Sequence, residues 1–248
     1  MKSTQELDLI DDVELARRSI RGFGEMVAVL GRCGVGAEAE VRRPNVLGAR
    51  IDAAANNPWF DAAVVPLGET PPSDDPWLPP CLWTVADAVP GRVEEPGIAT
   101  PCMGVALGDP ALKLDGGARD VEAPPLAVLG DVNERAYGEA GVFGPLVREL
   151  RDDRIRTYGL RDDGAFVCVA LTLRVGDDLS IHYVATETSH RRRGLASRLM
   201  LAVMAAARDE GLRSATLQAS ADGLPVWERL GFRRVATLRG YLRPGTRG

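Results

Sequence analysis

The sequence predicts an α+β fold, with helices layered on both faces of a sheet in the α/β three-layer manner, and three stretches carry that prediction. Residues 179–211, LSIHYVATETSHRRRGLASRLMLAVMAAARDEG, read as a strand, a basic glycine turn and a long amphipathic helix. Residues 213–242 read as a strand, a short helix and a strand. The first hundred residues hold one amphipathic helix followed by short apolar runs broken by Gly and Pro.

Taken in order, Leu9, Val13, Ala16, Ile20, Phe23, Val27 and Leu30 recur at helical spacing and end near Gly31 and Gly34. Gly22 and Gly24 weaken the middle of that helix, each by about 1 kcal/mol relative to Ala. Short strands are expected at 39–43, 46–51, 60–65, 81–85 and 102–107, with a proline-rich loop over 71–80. Residues 108–125, GDPALKLDGGARDVEAPP, form the best boundary, with 112–114 as their only candidate strand. Beyond it come a helix at 126–137 stopped by Gly138, a short helix at 145–150, and strands at 155–160 and 165–175. Gly176-Asp177-Asp178 turns the chain into the strand at 179–185. The helix after the basic turn carries Leu195, Leu199, Ala202, Val203 and Ala206 on one face and stops at Gly211. A strand at 213–219, a helix at 224–230 and a strand at 232–242 complete the chain, which divides into 1–110 and 111–248.

Composition bounds the function. The chain has 248 residues, 45% of them apolar, and no apolar run approaches the ~20 residues of a membrane span. Its start, MKSTQELDLIDD, is acidic and has no apolar signal region, so a cytoplasmic protein without a membrane partner is expected. Cys33, Cys81, Cys102 and Cys168 are scattered and only two histidines occur, which argues for reduced thiols and no metal site. Residues 1–125 hold 11 basic and 20 acidic side chains, and residues 126–248 hold 19 and 15. A basic second half suits an anionic cofactor, and it also suits simple attraction between the halves. A net charge of −5 argues against a nucleic-acid partner.

The turn Arg191-Arg192-Arg193-Gly194-Leu195-Ala196 has the chemistry of an anion site. The first N–H groups of a helix lack intrahelical partners and sit at its positive end, glycine permits close backbone approach, and arginines share charge with phosphate. Arg191-x-x-Gly194-x-Ala196 after a VAT-ending strand resembles the pyrophosphate loop of the GNAT superfamily of N-acetyltransferases. The later run LQASADGLPVWERLGFRRV resembles that family's second signature, through Ser220, Gly223, Val226, Trp227, Leu230, Gly231 and Phe232. The resemblance covers 126–248 well and the first half faintly. FDAAVVP and EEPGIATPCMGVAL echo IHYVAT and ERLGFRRVATLRGYL, which suggests a degenerate GNAT-like N-terminal half without a phosphate loop. A first half with no such relation is the alternative.

The resemblance implies a mixed central sheet that splays open, acetyl-CoA as acyl donor, and a small-molecule or peptide amine as acceptor. It implies that Val184, Ala185 and Thr186 meet the pantetheine arm and that Arg191, Arg192, Arg193, Gly194, Leu195, Ala196 and Ser197 meet the pyrophosphate. Ser220 falls where the family has an Asn on the arm; it can equally cap the following helix. His182 is expected on the same strand face as Val184, as a general base titrating near 6.5 or as a structural imidazole. Trp227 departs from the family's usual tyrosine acid, and Tyr241 or water is the expected substitute. The acidic first half is expected to wall the acceptor cleft. Two other readings fit the glycine turn: a catalytically weak acyl-CoA-binding module, and a related acyl or aminoacyl transferase.

Overall fold

The computed structural model describes residues 10–33, 37–51, 59–72, 75–95, 97–115, 117–138, 141 and 143–246. Helix α1 (Asp12–Cys33) opens the chain. Strands β1 (Ala37–Arg43), β2 (Val46–Ile51), β3 (Ala62–Val64), β4 (Cys81–Thr84), β5 (Val93–Glu94) and β6 (Thr100–Ala106) follow. Next come α2 (Leu126–Tyr137), α3 (Phe143–Arg148), β7 (Ile155–Asp162), β8 (Ala165–Val175) and β9 (Asp178–Thr186). After a 3₁₀ turn at Thr188–His190, α4 (Leu195–Asp209), β10 (Ser214–Gln218), α5 (Leu224–Arg229) and β11 (Arg233–Leu242) complete the fold.

The strands form one mixed sheet in the order β1-β2-β3-β4-β11-β6-β10-β9-β8-β7, with the short β5 also on β11. That order is symmetric about the β11–β6 pair. Each half supplies an antiparallel run, β1-β2-β3 and β7-β8-β9, and each run meets its next strand in parallel, β3 with β4 and β9 with β10. The last strand of each half then crosses over: β11 lies antiparallel on β4, and β6 lies antiparallel on β10. The expected boundary at 110/111 therefore separates β6 from both strands that flank it. Residues 108–125 are also no free tether. The expected strand at 112–114 is absent; Leu114 and Ala118 instead pack under α4, and a Cβ at Gly117 would stand 2.5 Å from the Ala202 backbone.

Helix α1 belongs to the first half and rests on the second. Gly22 and Gly24, which count against a helix on propensity, lie against the sheet: a Cβ at Gly22 would clash with Ser180 Oγ, and one at Gly24 would press on Leu47. Ser19 Oγ donates to the Leu217 carbonyl, and Gln218 donates back to Ser19. Glu25, buried, takes Arg42 of β1 and Arg154 just before β7. The α1, α2 and α3 side of the sheet forms one apolar cluster and the α4, α5 side another. Cys81, Cys102 and Cys168 are buried free thiols; the Cys33 side chain lies outside the described residues.

Below α1, Arg18 donates to Ser214 Oγ and pairs with Asp177, while Ser214 and Thr216 hydroxyls donate to the buried Asp178 at 2.6 and 2.7 Å. Burial raises the Asp178 carboxyl to about 6, against the pull of the two hydroxyls and of Arg18. The native state thus favours the protonated form. The stability this lends is complete below the ordinary value of 3.8 and is lost as pH rises through about 6. Asp178→Asn removes that dependence, so the stability of wild type relative to the variant should fall by on the order of 2–3 kcal/mol between pH 4 and pH 7 in urea titrations. A parallel pH course for the two proteins would refute the assignment. The strand exchange gives a second expectation. Fragment 111–248 alone should lack near-ultraviolet circular dichroism and bind a hydrophobic dye, and co-expression with 1–110 should restore the signal.

Candidate active site

Parallel pairing of β9 with β10 runs from Asp178↔Ser214 to Ile181↔Leu217 and stops there. Beyond that point β9 continues on β8 as far as Thr186, and Gln218 of β10 pairs with Cys102 of β6, so the two parallel strands part. In the parted segment β9 bulges. Val169 pairs with Ala185 and Leu171 with His182, leaving Tyr183 and Val184 opposite the single residue Ala170. Tyr183 takes φ +54°, a left-handed conformation that a bulky residue adopts only when its surroundings enforce it. Asn133 of α2 donates to the Tyr183 carbonyl, and Tyr137, one turn on, donates to the Val184 carbonyl. Two side chains of one helix thus clamp the bulge.

The bulge corrects the expected strand face. Alternation would put His182 and Val184 together. The extra residue instead turns His182 and Tyr183 both toward α1–α3, where Tyr183 stacks on Phe143 at 4.2 Å, and turns Val184 toward α4. A cavity of about 380 Å³ passes through the gap. On the α4–α5 side its walls include Ala196, Ser220, Gly223, Val226 and Trp227. On the opposite side they are Phe23, Phe60, Asn133, Glu134, Tyr137 and Phe143. Among the described residues the first half contributes two phenyl rings and no carboxylate to the cavity wall. Glu14 and Glu25 of that half are engaged on arginines.

The glycine turn leads straight into α4. Gly194 is the N-cap at φ +73°, with no side chain capping the helix, and a Cβ there would meet nothing within 4 Å. The start of α4, at Leu195, Ala196 and Ser197, is an uncapped, positively polarised terminus behind an open surface, which fits a pyrophosphate. The three arginines are not equivalent. Arg191 folds inward, donating to the Ala136 and Thr186 carbonyls, and Arg193 pairs with Asp162, while Arg192 is exposed at φ +63°. His190 also meets Asp162, and Glu187 pairs with Arg135. Among the described residues no three His, Cys, Asp or Glu side chains converge as a metal site.

His182 lines the cavity, nearly buried, with Nε2 at 2.9 Å from Ser180 Oγ. Burial pushes its pKa down to about 3, well below the value near 6.5 expected of a general base. Tyr241 does not reach the site. It is buried at the β4–β11 seam, where its hydroxyl donates to the Ala86 carbonyl at 2.8 Å. Trp227 does line the cavity, and its indole nitrogen would stand 3.0 Å from a Cβ at Gly223, which accounts for that glycine. Ser220 Oγ accepts the Gly223 N–H at 3.2 Å in the turn before α5, whose N-cap is Gly223 with no side-chain cap, and it lines the cavity as well. Among the other expected residues, Thr186 lines the cavity, whereas Ala185 is buried toward the α1–α3 side.

Sequence reasoning missed the wall formed by Phe23, Phe60, Phe143, Tyr137 and Glu134. The available signal was Asn133-Glu134-Arg135-Ala136-Tyr137, a polar run at the end of an otherwise apolar helix. Burial works against ionisation of Glu134, but the N–H groups of Gly141, Gly144 and Phe143 outweigh it and hold the carboxyl below its ordinary value. The Gly144 N–H donates to Oε1 at 2.7 Å.

Known proteins bear on this geometry. The acetyltransferase (GNAT) family matches residues 129–232. A GCN5-related N-acetyltransferase from Kribbella flavida superposes over 92% of this chain and 96% of its own, with TM-score 0.58 and 20% identity. A GNAT-family acetyltransferase from Novosphingobium aromaticivorans covers 90% and 93%, with TM-score 0.54 and 19% identity. A conserved protein of unknown function from Staphylococcus epidermidis covers 82% and 92%, at 0.55 and 13%. No curated protein matches the sequence. The three superpositions establish the fold over both halves, and the family match lies on β7–β10, the glycine turn and α5. Residues 129–232 thus carry an acetyltransferase domain of the GNAT family, the class of enzyme that moves an acyl group from an acyl-CoA donor.

Proposed function

We propose that the protein is an acetyl-CoA-dependent N-acetyltransferase acting on an amine acceptor. The observation that carries this reading is the cavity through the parted strands, lined on one side by Ala196 at the start of α4 and on the other by residues of α1 and α2. The donor supplies an acyl thioester. In this reading the α4 N-terminus and Gly194 hold the pyrophosphate, and the parted edge of β9 beside Val184 and Thr186 pairs with amides of the arm. Ser220 adds a hydroxyl from the other wall. The acceptor enters from the α1–α3 side, and a backbone N–H at the bulge faces the carbonyl oxygen as charge develops there. Proximity and this fixed dipole carry most of the acceleration.

His182 fits a supporting part. A buried imidazole with a pKa of about 3 is neutral throughout the physiological range, so it accepts a hydrogen bond from the incoming amine without storing its proton. With Tyr241 remote and Trp227 unable to give up a proton readily, water takes the proton that the attacking amine loses and delivers one to the departing thiolate. The first half, 1–110, fits a GNAT-like unit that has lost its donor site: β3 and β4 pair in parallel as β9 and β10 do, yet no helix lies between them among the described residues.

Two outcomes are expected. Gly194→Glu puts a side chain and a negative charge at the open face of the turn; acetyl-CoA affinity by calorimetry should fall at least about tenfold, or about 1.4 kcal/mol, in a folded protein. Unchanged affinity would remove the turn from the donor site. The second concerns pH. The rise of kcat/KM should follow the pKa of the amine itself, moving when acceptors of different basicity are compared, and His182→Gln should keep that limb while lowering turnover by about tenfold. A limb fixed near 6.5 for every acceptor and abolished by His182→Gln would instead make the imidazole the base.

A further inference from the structure

The acceptor side of the cavity has an unusual composition for an amine site. Its walls are Phe23 from α1, Phe60 from the loop before β3, Phe143 from α3, Tyr183 from the bulge and Tyr137 from α2. Tyr183 is packed on both flanks, with Phe143 at 4.2 Å and His182 at 5.9 Å between ring centroids, so the rings form a fixed surface rather than a loose patch. Among the described residues the lining holds one carboxylate, Glu134, and no lysine or arginine. That carboxylate is immobilised at the start of α3 by the Gly144 N–H at 2.7 Å, with the Phe143 and Gly141 N–H groups also acting on it. Three amide donors keep it ionised and leave further lone pairs for a ligand.

These features choose among amines. A polycation carries several charges that would each need a carboxylate or water, and this wall offers one. A peptide N-terminus brings backbone amides that phenyl rings cannot satisfy, and burying them unpaired costs affinity. A single ammonium on an apolar body finds both of its needs: the charge meets Glu134 and the ring faces, and the body displaces water from aromatic surface. The volume, about 380 Å³ for both sides of the gap together, accommodates a compact body. Resting on the acyl-transfer reading above, we infer that the acceptor is a small primary amine with one positive charge and a compact apolar, aromatic-sized body, held by Glu134 and the ring wall of Phe23, Phe60 and Phe143.

The test compares 2-phenylethylamine, spermidine and an alanine-terminated tetrapeptide, by thiol release with acetyl-CoA and by calorimetry of each amine titrated into protein saturated with coenzyme A. The expected result is binding of 2-phenylethylamine and a kcat/KM at least tenfold above the other two. Glu134→Gln keeps an oxygen for the Gly144 N–H and removes the charge. It should raise the KM for 2-phenylethylamine about tenfold, leave the KM for acetyl-CoA unchanged, and leave unchanged the inhibition constant of the uncharged 2-phenylethanol. Phe23→Ala should weaken the amine and the alcohol alike, and it serves as the variant readout if Glu134→Gln does not fold. Preference for spermidine or the peptide would overturn the inference and leave acyl transfer standing, as would a Glu134→Gln effect equal on amine and alcohol. Absence of acetyl-CoA binding, with no thiol release for any amine, would overturn the acyl-transfer reading itself.

Discussion

Strand β9 places two residues, Tyr183 and Val184, opposite Ala170 of β8, and that surplus fixes where the groups of the site point. It ends the in-register run with β10, opens the gap, and rotates the imidazole and the phenol to the face on which an acceptor can lie. A left-handed tyrosine is not held by its own preferences; a non-glycine residue there costs on the order of 1–3 kcal/mol. The neighbours supply the restraint. Asn133 and Tyr137 hold consecutive carbonyls, Phe143 covers the ring, and Ser19 of α1 secures Leu217, the last residue of β10 still in register with β9. The strain sits in the segment that lines the cavity, and the packed core around it keeps it there.

Much of this was legible in the sequence because it depends on local chemistry. The period of 3.6 from Leu195 onward, the stop at Gly211 and the turn at Gly176 each report their own neighbourhood, and the helices and long strands of the second half lie within a few residues of their expected places. The glycine turn into α4 was legible for the same reason, since a helix start at Gly194 needs only adjacent backbone. What was not legible is non-local. Alternation along IHYVAT puts His182 and Val184 on one face, and nothing in those six residues announces the extra residue, which is defined only against β8. Tyr241 has the right functional group and the wrong neighbour, because β11 carries it to β4, on the far side of β6 from the gap. The low pKa of His182 follows from α1 closing over Ser180, a contact between positions far apart in the chain.

Gly22 shows how a propensity argument can be correct and still mislead. The residue does weaken an isolated helix. In the folded chain it lets the α1 backbone approach Ser180, the residue that holds His182, and the same helix carries Ser19 to the end of β10 and Phe23 into the cavity. One face of α1 therefore sets the spacing of the strands, the position of the imidazole and part of the acceptor wall. Among the described residues the first half contributes to the cavity by shape, through a helix and two phenyl rings.

The crossing of β6 and β11 also governs the order in which the molecule can be made. Strand β4 is synthesised about 150 residues before β11, and β6 more than 100 before β10, the strand it must pair. At about 5–20 residues per second, the edge of β4 waits roughly 8–30 s for its partner. During that interval the nascent chain presents two apolar strand edges with nothing of its own to cover them, a state open to pairing with other chains. A protein interleaved in this way trades rapid, piecewise folding for a sheet that closes only when its last strand leaves the ribosome, and its yield in a cell depends on what shields those edges in the meantime.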